Sequence, residues 1–337
     1  MVRFGLWYDF RNPHEWRRDF SALYAETIEQ MAWAESLGFD DIWTTEHHFV
    51  EDGYSPSLMA VCAAIAAKTT KVRVGTSVLL ALLHDPVRLA EDAATVDIIS
   101  EGRLDLGIGL GYRAEEWRAF GVDPRKRGAM LNEHISVVRA AWAEGPFTLR
   151  GEFFGYEEID VTPKPVQSPM PLWVAGLSEP AVKRAARLGD GFLAGAGEDL
   201  IPVYLAERAR RGKPAGMVNA TVGFHAVADD PAAAWAVIGP HIFYQRKIYA
   251  AWLNTAGTAI WPVPETIDEI IAGEPDIVVT PERAVEIISQ RIKRQPEITH
   301  LTWNPVVPGL SPDKAAPFLE TFATRVIPAV KRASGSR

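Results

Sequence analysis

One cysteine, Cys62, in 337 residues leaves no second thiol for an internal disulfide and fits a reducing compartment. It falls in the apolar run Leu58–Ala67, which reads as a helix holding an inert buried thiol. No stretch approaches the ~18 uncharged apolar residues of a membrane-crossing helix. Positive charge is in deficit: 35 Lys and Arg against 43 Asp and Glu give a net charge of −8, so the composition offers no basis for nucleic acid or an anionic membrane as partner. No basic-then-apolar leader precedes the first strand-like run, and no internal repeat or low-complexity tract is visible. Only Ala333–Arg337 reads as a frayed tail. The absences together point to a cytoplasmic protein of enzyme size.

What is present is a regular alternation. With 47% hydrophobic residues the chain can bury a sizeable core, and short β-rich runs alternate with helical ones. Strand-like runs are expected at Phe4–Tyr8, Asp41–Thr45, Val72–Leu80, Arg103–Leu110, Leu172–Ala175, Gly191–Ala194, Thr221–Ala228 and Thr299–Trp303. Helices are expected at Ala22–Leu37, from Pro56, and at Val87–Ile99, Arg127–Ala143, Glu179–Leu188, Leu200–Arg210, from Pro231, and at Pro312–Arg332. Eight strand–helix pairs in about 330 residues favour an α/β (β/α)8 TIM barrel over a doubly wound sheet. The chain then reads as a single barrel domain, 1–337, with insertions near 145–170 and 240–280. The first insertion suits a hairpin or arm. The second is an irregular region whose aromatics (Phe243, Tyr244, Tyr249, Trp252, Trp261) suit a lid, a dimer contact or core.

Chemistry is expected where strands end. Glu46-His47-His48-Phe49 closes the second strand, and neighbouring residues there point to opposite sides, so one histidine faces the mouth. A metal site needs about three converging ligands, and no HxxxH or second acid–histidine cluster supplies them. An acid/base or hydrogen-bonding histidine competes with a structural one that ties strand to loop. Gly107-Ile-Gly109-Leu-Gly111-Tyr112 lacks the third glycine of a dinucleotide fingerprint, and Arg113–Gly121 starts no clean apolar helix. It suits a thin stretch of backbone for a flat ring, or a tight barrel corner. Gly176-Leu177-Ser178-Glu179-Pro180 is a strand-to-helix junction with Ser178 at the N-cap. Its free N–H groups suit a phosphate, and plain capping explains it equally. Thr76-Ser77-Val78 is ordinary strand sequence by itself. Trp7, Phe49, Tyr54, Tyr112, Trp117, Phe120 and Trp303 would form an apolar rim if the barrel places them together.

Four ordered blocks then carry a resemblance. They are Gly38–Phe49; Val74–Leu80 followed by Asp85–Asp92; Arg103–Tyr112 continuing to Phe120–Asp123; and Leu172–Ser178. Together they resemble the bacterial luciferase-like flavin monooxygenase family, and the similarity extends through Val279–Glu282 to the C-terminus. The resemblance implies a (β/α)8 barrel binding reduced FMN, as a homodimer. It implies a catalytic histidine at His47, a non-prolyl cis peptide at Ser77–Val78 behind the flavin ring, and phosphate at Gly176–Ser178. Thr76, Ser77, Gly109, Gly111, Tyr112, Gly176, Leu177 and Ser178 are the expected cofactor contacts; Phe49, Trp117 and Trp303 are the expected substrate contacts. Leu110 stands where luciferases place a phosphate-binding arginine, and Gly109 stands where they place a cysteine, so light emission is not implied. The expected activity is two-component oxygenation of a small apolar substrate by dioxygen, with a separate reductase supplying reduced FMN. Hydride transfer with a deazaflavin coenzyme is the first alternative. A non-catalytic flavin-binding protein and a flavin-free phosphate-binding isomerase or lyase are the others.

Overall fold

The β-rich runs become strands that are buried almost along their whole length, as strands of a parallel sheet covered on both faces must be. In the computed structural model, which describes residues 2–257 and 262–335, the barrel strands are β1 (Arg3–Tyr8), β2 (Asp41–Thr44), β3 (Arg73–Thr76) and β4 (Leu104–Gly109), then β5 (Leu172–Ala175), β6 (Gly191–Leu193), β7 (Met217–Thr221) and β8 (His300–Trp303). Each pairs with the next and β8 returns to β1, so the strands close into an eight-stranded parallel barrel with helices. At the closure Arg3 lies opposite His300 and Leu6 opposite Trp303. Trp261 lies outside the described residues.

The chain packs as two compact units. The first comprises Met1–Trp43, Val50–Ser55 and Asn219–Arg337. Its first helix, Phe20–Leu37, starts on an Asp19 side chain that accepts from Ala22 N, and Gly38 ends it in the left-handed region at φ +89°. Its aromatic core stacks Trp303 on Phe322 at 4.3 Å, with Phe4 and Phe224 meeting Phe322 edge-on or tilted.

The second unit comprises Thr44–Phe49 and Pro56–Val218. It holds β3 to β6, the helices Leu58–Lys68, Pro86–Ile99, Arg127–Trp142, Glu179–Leu188 and Ile201–Arg210, and an antiparallel hairpin, Phe147–Arg150 with Gly155–Ile159. Cys62 is fully buried, and burial pushes its thiol up to about 12. Between β3 and β4 the backbones interlock. Thr76 Oγ1 donates to Gly107 O at 2.6 Å and accepts from Gly107 N at 2.9 Å.

Three expectations change. The seventh strand is Met217–Thr221, earlier than Thr221–Ala228, because Gly223 at φ +92° turns the chain away. Ala226–Val227 pairs instead with Val278–Val279 in a separate two-stranded sheet. The third strand stops at Thr76, where the Ser77–Val78 peptide is cis, and Leu79–Leu80 then pairs with Ile108–Gly109. The described residues of 240–280 are largely helical: one helix runs Pro231–Thr255 through Pro240, and another covers Ile267–Gly273. Pro240 and the adjacent Gly239 mask the helical period that the flanking residues carry.

Two outcomes are expected. A Cβ at Gly107 would lie 1.9 Å from the Thr76 carbonyl oxygen, in a strand that cannot move without its neighbour. Gly107→Ala should therefore lower stability by at least about 3 kcal/mol in urea unfolding, while Gly155→Ala, with open space around it, stays within about 0.5 kcal/mol. The second concerns His134, fully buried in the helix Arg127–Trp142, where burial depresses its pKa to about 4. The unfolded chain takes up a proton near pH 6.5 and the folded chain does not. His134 thus supports the fold above pH 6.5, and the support is lost as pH falls towards 4, about 3 kcal/mol in all. Stability measured against pH should fall less steeply over this window in His134→Gln than in the parent chain.

Candidate functional site

β2 ends at Thr44, and the next residues leave the strand with Glu46 and His47 buried at 1% and 5% exposure. β4 ends at Gly109, and Gly111, at φ +70°, turns the chain into a short helix, Ala114–Ala119. That helix begins Ala-Glu-Glu-Trp, and its Glu116 points inward with no exposed surface. Glu116 Oε1 sits 2.8 Å from His47 Nδ1 and accepts from the His48 backbone N–H at 2.9 Å. Arg113 Nη1 is 3.3 Å from the same oxygen and donates to His48 O at 2.6 Å.

The tautomer of His47 follows. A carboxylate only accepts, so the pairing with Glu116 assigns the proton of a neutral His47 to Nδ1. Nε2 is then an acceptor, and the Tyr112 hydroxyl lies 3.1 Å from it, the two rings meeting edge-on at 5.2 Å. Tyr112, His47 and Glu116 form one hydrogen-bonded line whose outer member, Tyr112, is partly exposed. Glu116 Oε2 is buried and carries no hydrogen bond among the described residues.

Glu46 anchors the opposite side. Its Oε1 lies 2.6 Å from His48 Nε2 and 3.4 Å from His84 Nε2, while Oε2 accepts from Leu80 N at 2.9 Å. Burial pushes this carboxyl up, but the hydrogen bonds from His48, His84 and Leu80 outweigh it and hold the pKa below its ordinary value. The two histidines therefore point to different carboxylates. Among the described residues, no three His, Cys, Asp or Glu side chains are placed to hold a metal ion.

The other expected residues lie as follows. Thr76 is buried in the interlock with Gly107, and Ser77 N donates to Thr44 O at 2.6 Å. A Cβ at Gly109 would come within 2.7 Å of Val78 Cγ2, so the glycine keeps the backbone thin beside the cis peptide. Trp117 donates from Nε1 to Leu110 O at 2.9 Å, and Arg127 covers its ring at 4.8 Å. Phe49 is 63% exposed and packs loosely on Phe120, forming an apolar surface next to His48. Gly176 is buried where a Cβ would come within 2.9 Å of Ala181 and Val182, so the turn lies tight under its helix. Leu177 and Ser178 are exposed, and the Ser178 hydroxyl makes no cap hydrogen bond. Trp303 is fully buried in the aromatic core of the first unit, a packing position for a residue expected to touch substrate. Glu116 escaped the sequence reading, because Arg113–Gly121 has no apolar period and one helical turn of charged residues looks like loop.

The comparisons agree with the fold. The chain belongs to the luciferase-like monooxygenase family, whose model matches residues 2–268. It is 33% identical over 218 residues, 60% of this chain and 64% of the relative, to an F420-dependent glucose-6-phosphate dehydrogenase of Kineococcus radiotolerans. It is 38% identical over 156 residues, 45% of this chain and 43% of the relative, to the oxygenase component of a flavin-dependent trigonelline monooxygenase of Acinetobacter baylyi. These two alignments span less than two thirds of the relatives' own length. A monooxygenase from Streptomyces bottropensis shares the fold, with a TM-score of 0.82 at 24% identity over 97% of this chain and 99% of that one. The relatives thus include both a flavin-dependent monooxygenase component and an F420-dependent dehydrogenase.

The hydrogen-bond pattern makes a spectroscopic prediction. Nitrogen-detected NMR of His47 should show the Nδ1–H tautomer at neutral pH. In Glu116→Gln, whose amide can donate as well as accept, that preference should weaken; an unchanged tautomer would mean Glu116 does not set it.

Proposed function

We propose that this chain is the oxygenase component of a two-component FMN monooxygenase. The observation that carries the reading is the Tyr112–His47–Glu116 line, a proton-handling group set after two strand ends of a luciferase-like barrel. The residues fit the cofactor. Gly109 and Gly111 present backbone without side chains beside Val78 and Leu80, which suits a flat ring. The turn Gly176–Ser178 offers an exposed hydroxyl and free N–H groups at the start of a ten-residue helix, which suits a phosphate.

Bound reduced FMN supplies two electrons, so that dioxygen gives one oxygen atom to the substrate and one to water. The protein's share is positional and electrostatic. Glu116 holds the His47 ring with Nε2 outward, and Nε2 with the Tyr112 hydroxyl accepts and returns a proton at the reacting centre. Phe49, Trp117 and Phe120 supply apolar surface that excludes water. Thr76 and Ser77 would line the cofactor's site, and a separate flavin reductase would supply the reduced cofactor to a cytoplasmic homodimer. The similarity to the trigonelline monooxygenase component supports the reductase partner.

A second reading has its own support. The similarity to the F420-dependent dehydrogenase allows hydride transfer with a deazaflavin, with His47 protonating or deprotonating the substrate oxygen. The assay that separates them supplies reduced FMN under air, and deazaflavin without air. Dioxygen uptake coupled to an oxygenated product is expected. Deazaflavin reduction with no dioxygen uptake from reduced FMN would replace the first reading with the second. Under either, His47→Ala should lower kcat by about 10²–10⁴-fold with cofactor affinity retained, and Glu116→Gln by a smaller factor.

A further inference from the structure

Three arginines of the second unit meet with no carboxylate between them. Arg127 opens the helix Arg127–Trp142, and Arg184 and Arg187 stand on the helix Glu179–Leu188. Arg184 Nε and Arg187 Nη2 donate to one neutral acceptor, Asn132 Oδ1, at 2.8 and 3.2 Å. Arg127 donates to Pro124 O and lies over the Trp117 ring. The acidic neighbours are engaged elsewhere: Asp123 with Arg125, Glu152 with Lys126, and Glu179 with Lys183. Glu133 takes the backbone N–H groups of Glu152, Phe153 and Phe154. Burial, and then the charges of Arg187 and Arg127, hold Arg184 below its ordinary pKa, so its neighbours repel it and nothing nearby offsets them.

The backbone decides where this charge sits. The two helices run side by side in the same direction, since Arg139, late in the first, reaches Leu188 O and Asp190 at the end of the second. Arg184 reaches the opposite way. A Cβ at Gly128, the second residue of its helix, would come within 2.7 Å of Arg184 Nη2, so the missing side chain gives the guanidinium its place. Long side chains on a helix lean towards its N-terminus, and Arg184 follows that rule. Its charge therefore lies at the end where both helices begin, which is where the exposed Leu177 and Ser178 lead into the second helix. All three arginines are half-exposed, and Arg184 Nη1 and Nη2 make no hydrogen bond among the described residues. An anion reaches them from solvent.

We propose that Arg184, flanked by Arg127 and Arg187, is the cationic wall of a phosphate-monoester site completed by the turn Gly176–Ser178, and that it selects the phosphorylated flavin over the free one. The identity of the ester rests on the FMN reading; the anion rests on the arginines. A carboxylate carries one charge, whereas a phosphate dianion answers more than one guanidinium, and the planar N–H fork of arginine takes its oxygens two at a time. Arg184 then brings from a helix the charge that the apolar Leu110 does not supply at its strand end.

The probes are reduced FMN and reduced riboflavin, titrated calorimetrically into the full chain without air, and inorganic phosphate at low millimolar concentration and constant ionic strength. Reduced FMN should bind the parent chain at least tenfold more tightly than reduced riboflavin. Arg184→Gln should weaken FMN tenfold or more and leave riboflavin within twofold. Phosphate should raise the Tm of the parent chain but not that of Arg184→Gln. If Arg184→Gln does not fold, Arg184→Lys, which keeps the charge and loses the fork, is read in its place, with FMN weakened threefold or more. If the parent binds neither flavin and phosphate still stabilises it through Arg184, the FMN reading falls and the anion site stands. If FMN binds the parent and a folded Arg184 variant equally, the site is overturned and the FMN reading survives. Equal binding of the two flavins with no effect of phosphate overturns the site as well.

Discussion

The geometry around His47 depends on one buried carboxylate. Glu116 has no contact with water, and a lone carboxylate in such a place costs several kcal/mol unless donors surround it. Three do: the imidazole of His47, the backbone of His48 and the guanidinium of Arg113. Meeting that demand ties the exit of β2 to the short helix after β4. It also fixes which histidine nitrogen carries the proton. The outward placing of Nε2, towards the Tyr112 hydroxyl, is therefore a consequence of satisfying Glu116.

Glu46 solves a similar problem differently. It sits one residue before His47 yet takes its bonds from His48, His84 and the Leu80 N–H, so two adjacent histidines answer to two carboxylates. The arrangement holds the loop after β2 from both sides, and it leaves only His47 with Nε2 turned to a tyrosine hydroxyl. A buried polar network whose members are all satisfied rigidifies the structure around it.

Much of the barrel was readable from the chain because its signals are local. Leu172–Ala175 and Glu179–Leu188 fall where a short apolar run gives way to a helical period at Gly176 and Ser178. Gly38 ends its helix for a reason visible in one residue. The misreadings arise where local pattern is ambiguous. Thr221–Ala228 is β-rich throughout, and only the turn at Gly223 and pairing with Val278–Val279 divide it. A 25-residue helix that contains a Gly–Pro step reads as two fragments or none.

The sequence alone determined the barrel class and the family, because each rests on residues close together in the chain and in a set order. The cis peptide at Ser77–Val78 followed from the same resemblance. Tertiary structure decided what those residues face. The partner of His47 lies 69 positions away in a charged turn without pattern. The meeting of Arg184 and Arg187 with the helix of Arg127 becomes visible only when Asn132, 52 positions before Arg184, is seen to accept from both. Periodicity records which side of an element is buried, but not which buried polar atoms find each other, since that depends on contacts between distant segments.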